Sequence, residues 1–169
     1  MTVYGKAFTG SFVVKPDPDS QFTQADYEAA VKYNMWFNDK LSQLDIGLNS
    51  LDDVKASLEK AKAAAQGKND SASVASIDAA LQNRQNLVDS LTADYQNFED
   101  FVLRAGQLRE DLQNGTGLVT PAYTDLKNRV NAEFNARKKA YDAYVATLPS
   151  VNEALTKAGY GSLKMPKPL

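Results

Sequence analysis

A repeating apolar stripe between Ser73 and Leu112 constrains this chain more than any other feature. Val74, Ile77, Leu81, Val88, Leu91, Tyr95, Phe98, Val102 and Ala105 recur at alternating steps of three and four. Arg84 interrupts the series, and Leu87, Phe101 and Leu108 widen it. The pattern predicts one apolar face on a helix of about eleven turns, with polar residues around the rest. A helix of this length cannot bury such a face against itself, so it needs long partners.

The flanking sequence supplies two. Before it, Thr23 is a suitable N-cap with Asp26 three residues on, and Phe22 with Tyr27 forms a hydrophobic staple. The stripe then runs Tyr27, Val31, Met35, Leu41, Leu44, Leu48, Leu51, Val54 and Leu58, broadened by Trp36 and Phe37. Gly47 lies inside it at a cost of about 1 kcal/mol relative to Ala, and Gly67 is the expected C-terminal cap. Ser71 or Ser73 is the expected cap of the central helix. After it, Thr120-Pro121 opens a third helix with the stripe Tyr123, Leu126, Val130, Phe134, Arg137, Tyr141, Tyr144 or Val145, and Leu148, stopped by Pro149. Ser150 with Glu153 suggests a capping box for a short fourth helix, Val151 to Ala158, closed by Gly159. Residues 164–169 read as an extended tail.

The expected architecture is all-α: an elongated antiparallel three-helix bundle with a short fourth helix and a small N-terminal β segment. At 1.5 Å per residue the first two helices are each roughly 60 Å long and the third about 40 Å, so the third covers only part of the pair. The far tip, Leu58 to Ala80, is alanine-rich and is expected to be a two-helix hairpin. Residues 1–15 differ: Phe8, Phe12 and Val14 alternate with small or polar residues, Gly5 and Gly10 punctuate, and Pro16 and Pro18 end any strand. The division is thus 1–19, strand and linker, and 20–169, helical bundle.

Composition excludes much chemistry. The 169 residues contain no cysteine and no histidine, which removes thiolate nucleophiles, disulfides and imidazole bases or ligands. A net charge of −2 lacks the basic excess that nucleic acid or an anionic membrane requires. No apolar run reaches the roughly 20 residues of a membrane helix, and the Met1 to Tyr4 start is not expected to begin a signal peptide. The acid pairs Asp52-Asp53, Glu99-Asp100 and Glu110-Asp111 are neighbours on helices and point about 100° apart, so they do not face each other across a substrate. Asp45, Asn49 and Asp52 share a face without a calcium-loop pattern, and Gly115-Thr116-Gly117 lacks the lysine of a phosphate-binding loop. No catalytic, metal or cofactor residue is expected. Tyr33, Trp36 and Phe37, with Met35, point in too many directions for one core stripe, which suggests an interaction surface of Tyr33, Trp36 and Phe37 with Phe12 and Val14 from the strand segment.

Two stretches carry a family resemblance. Phe12 to Ser20, with Val14, Asp17 and Pro18, resembles the strand-to-helix exit of bacterial sortilin-type β-propeller proteins with Asp-box repeats, often described as glycosyl-hydrolase-like. Asp19 stands where that family usually has arginine. Leu148 to Leu163, with Asn152, Leu155 and Gly159, resembles the family's closing segment. The resemblance implies a non-catalytic C-terminal helical module of a larger exported protein, secreted or periplasmic. Its partners would be the propeller and sandwich domains of the parent chain, and the family's functional residues would lie outside this chain. The alternative is a free-standing helical adaptor or dimerisation domain forming a homodimer. Neither reading involves nucleic acid or a membrane.

Overall fold

The computed structural model describes residues 2–3, 6–7, 9–11, 13, 15, 18–92 and 119–169. Its architecture is all-α. The described helices are α1 (Gln24–Gly67), α2 (Ser71–Thr92), α3 (Pro121–Val145) and α4 (Leu148–Lys157). At the N-terminus, Thr2–Val3 and Lys6–Ala7 pair antiparallel, Thr2 opposite Ala7. Phe8, Phe12, Val14 and Asp17 lie outside the described residues, as do Tyr95, Phe98, Phe101, Val102, Ala105 and Leu108.

The start of α1 follows from its sequence. Thr23 Oγ1 accepts from the Asp26 amide, and Asp26 accepts in return from the Thr23 amide at 2.8 Å. Phe22 packs edge-on against Tyr27 at 6.2 Å between centroids. The far end differs from expectation. Gly67 is still helical, and Asn69 takes the left-handed conformation with φ 56°. Its amide donates to Gln66 O, and that of Asp70 to Ala65 O, both at 3.0 Å, which closes the last turn with asparagine in the place glycine usually takes. Asp70, and neither Ser71 nor Ser73, caps α2: Oδ1 accepts from the Ser73 amide at 3.0 Å and Oδ2 from the Ser73 hydroxyl at 2.6 Å.

The core register of α1 corrects the sequence pattern. The inward series is Ala30, Tyr33, Phe37, Lys40, Leu44, Gly47, Leu51, Val54, Leu58, Ala61 and Ala65, alternating steps of three and four; all but Lys40 are buried. Val31 and Met35, expected inside, are exposed. Lys40 and Gly47 hide this register because neither looks like a core residue. In α2 the buried series is Ile77, Ala80, Arg84, Leu87 and Leu91, so Arg84 continues the stripe, while Leu81 and Val88 flank it half-buried. The α3 series, through Val130, Phe134 and Tyr141, is as expected.

Cross-links fix the directions. Lys62 pairs with Asp78, and Arg84 reaches Leu51 O, so α1 and α2 are antiparallel. Arg137 Nε donates to Leu91 O at 3.1 Å, and Tyr33 packs on Tyr123, so α3 runs antiparallel to α2 and alongside α1. Each arginine occupies a core step of its own helix and grips a main-chain carbonyl of the helix before it. Arg84 is 6% exposed and also pairs with Asp52.

The tip is not a bare hairpin. Pro149 falls in the first turn of α4, so the chain turns at Ala146 and Thr147 and re-enters a helix. The serine expected as its cap, Ser150, lies within α4 and donates to Thr147 O instead. Leu148, Leu155, Tyr160 and Leu163 then pack on Val54, Leu58, Ala61, Ala65, Ile77 and Ala80 as a third layer. Gly159, at φ 72°, closes α4 and directs Tyr160 back, where its hydroxyl donates to Asp70 Oδ2 at 2.7 Å. The small residues admit this extra layer.

Two outcomes follow. The Asp52 carboxylate is largely exposed, so removing Arg84 strands no buried charge. In urea denaturation Arg84→Met should stay within about 1 kcal/mol of the parent, and Arg84→Ala should lose roughly 2–4 kcal/mol by leaving a cavity. The bonds from Ser73 and Tyr160 hold the Asp70 carboxyl at about 2, below its ordinary 3.8. Its contribution is therefore complete above about pH 4 and fades as pH falls towards 2. Melting of Asp70→Asn should show a weaker acid dependence across that window.

Candidate functional site

Of the five residues expected to form a surface, Tyr33, Trp36 and Phe37 lie among the described residues. Phe12 and Val14 lie outside the described residues. Tyr33 and Phe37 are 5% and 1% exposed and belong to the core between α1 and α3, with Ala30, Leu44 and Val130. The Tyr33 ring meets Phe37 at 4.9 Å and Tyr123 edge-on at 5.7 Å, and its hydroxyl donates to Tyr123 O at 2.7 Å. Burial, reinforced by Tyr123, pushes its phenol up to about 12, so it is neutral and fixed.

Trp36 alone of the three keeps an outward aspect. It is half-buried, with its ring perpendicular to Phe37 at 4.9 Å. Two ammonium groups approach it: Lys127 Nζ at 5.0 Å and Lys40 Nζ at 5.9 Å from the ring centroid. Lys40 also lies 4.4 Å from the Phe134 ring, which explains a lysine at a core step of α1: its stem covers apolar surface and its charge sits on aromatic faces. The i, i+4 spacing of Trp36 and Lys40 was visible in the sequence. Lys127 comes from α3 and had no local signal.

Several other polar groups that look reactive in the sequence are engaged in holding the fold. Asp52 pairs with Arg84 and Asp53 with Lys164 at 2.7 Å, so the adjacent acids are structural ties on different faces. Among the described residues, no group of three or more acidic side chains is placed to hold a metal ion. Glu99, Asp100, Glu110, Asp111 and Gly115 to Gly117 lie outside them. A groove of about 380 Å³ separates α2 from α4, lined by Ile77, Val151 and Leu155 with Ser73, Ser76 and Ser150. Each of those hydroxyls already donates, to Asp70, Ala72 O and Thr147 O. The groove is an apolar recess with no free polar group from these serines to act on a substrate. Among the described residues, no helix is long and apolar enough to cross a membrane.

No protein-family model, curated protein or solved structure matches this chain.

Trp36 is the sole tryptophan, so its emission reports this patch directly. Lys127→Ala should shift the emission and increase acrylamide quenching while changing stability by less than about 1 kcal/mol. Unchanged emission would place the lysine away from the ring in solution.

Proposed function

We propose that this chain is a non-catalytic helical module of a larger exported protein, packing on or linking a β-propeller and a β-sandwich. The observation that carries the reading is the junction at the start of α1. The Val14, Asp17 and Pro18 pattern leads into a segment seated firmly on the bundle. Phe22 is buried, its amide donates to Ser20 Oγ at 3.1 Å, and Ser20 Oγ lies 2.8 Å from the Tyr27 hydroxyl. Residues 20–27 are thereby held on the bundle by their own side chains, which suits a spacer or packing module. The half-exposed Trp36 with its two lysines lies on the same half of α1 and suits a contact with that neighbour. The exported location and the propeller partner rest on the family resemblance.

A second reading, a free-standing dimerisation domain, is favoured by Val31 and Met35. They lie four residues apart on one face of α1 and are 56% and 66% exposed. Sedimentation across a wide concentration range separates the two. The first reading expects a monomer that associates with the parent's propeller and sandwich supplied separately, and a stable homodimer indifferent to them supports the second. In a glycosidase assay the chain should give no turnover, and turnover abolished by a single carboxylate substitution would overturn the non-catalytic reading.

A further inference from the structure

The segment Gly161–Leu169 forms a strap laid over the bundle and anchored by a leucine near each end. It lacks regular secondary structure and runs back along α1 from Ser57 to Gly47. Its polar ties go mostly from its own backbone to side chains of the bundle. The Leu163 amide donates to Asn152 Oδ1 at 2.7 Å and the Lys164 amide to Ser57 Oγ at 3.2 Å. The Lys167 carbonyl accepts from the Tyr141 hydroxyl at 2.5 Å. Two leucines anchor the ends. Leu163 is buried in the tip cluster, and Leu169 sits over Gly47 among Leu51, Leu87 and Tyr141. Between them Lys164, Met165, Lys167 and Pro168 are exposed.

The receiving surface is built for an extended chain. A Cβ on Gly47 would collide with the Leu169 side chain and lie 3.3 Å from the Tyr141 ring, so the missing side chain is what makes the leucine's seat. Tyr141 itself is fully buried beneath, with its hydroxyl aimed outward at the strap's backbone. Pro166 and Pro168 hold their backbone near the polyproline conformation before docking, which lowers the entropy lost on binding. An aromatic residue, an apolar seat and a pre-extended proline-containing segment are the parts of a known mode of peptide recognition.

We propose that the trough between α1 and α3, from Ser57 to Gly47, is a binding groove for an extended Pro-x-Pro-Leu peptide. The strap fills it in cis, and a segment of the same chemistry from another chain fills it when the strap lifts. Apparent affinity in trans is then set by how often the groove stands open.

The test uses the full chain and a synthetic peptide of sequence SLKMPKPL. Leu169→Ser removes the strap's end anchor and leaves the groove intact. This variant should bind the peptide saturably, with the Tyr141 ring resonances moving, at least about tenfold more tightly than the parent chain, and adding Gly47→Val should abolish binding. A folded Leu169→Ser chain that shows no saturable binding overturns the proposal. Hydrogen exchange on the unmodified chain decides the matter even if that variant does not fold. The Leu163 and Lys164 amides should exchange at least about tenfold faster than those of Leu51 and Leu58. Equal rates would mean the strap leaves only on global unfolding, and the groove would not exist as a site.

Discussion

The constraint from which the structure follows is the length of the apolar face on α1. A helix of 44 residues spans about 66 Å, and no single neighbour among the described elements covers all of it. Its face is covered in succession. α3 lies on the first half, through Tyr123, Val130 and Phe134. α2 meets the second half, and α4 with the strap covers the tip through Leu148, Leu155, Tyr160 and Leu163. Burying each large apolar side chain along this face contributes about 1.5–3 kcal/mol, so an uncovered tip would forfeit several such contributions. The chain meets that demand by turning at Ala146 and Thr147 and laying its last residues back on α1.

A long apolar seam leaves the sliding register of the helices weakly specified, and the polar members of the stripes address this. Arg84 and Arg137 each donate Nε to a carbonyl one helix back, at Leu51 and Leu91. A directional bond to a main-chain atom is made in one register only, whereas leucine packs in several. Gly47 acts likewise by shape, since a single leucine fits over it. At the turn between α1 and α2, Asp70 joins three elements: the close of α1, the start of α2 and Tyr160 after α4.

The same economy of side chains bears on function. Residues that look reactive in the sequence are tied into the scaffold: Asp52 to Arg84, Asp53 to Lys164, Tyr33 to Tyr123. At the start of α1, Trp36 keeps an outward aspect, half-buried beside Lys40 and Lys127.

The sequence by itself determined that the chain is helical, the order of the described helices and some of their ends. Thr23, Asp26, Phe22, Pro121 and Gly159 act locally, through bonds and contacts within a few residues, so their meaning is legible without a fold. The all-α class and the α3 stripe were legible for the same reason. The tertiary structure alone decided the registers of α1 and α2. Lys40, Gly47 and Arg84 break an apolar pattern when read alone, and they become core positions only once Phe134, Leu169 and the Leu51 carbonyl arrive from distant parts of the chain. It also decided which aromatics at the start of α1 face outward. Tyr33, Trp36 and Phe37 are all large aromatics in sequence, and a neighbour at Tyr123 and Val130 buries two of them and leaves the third half-exposed. Long-range partners carry no local periodicity, and for that reason the tail that covers Gly47 could be read from sequence only as extended.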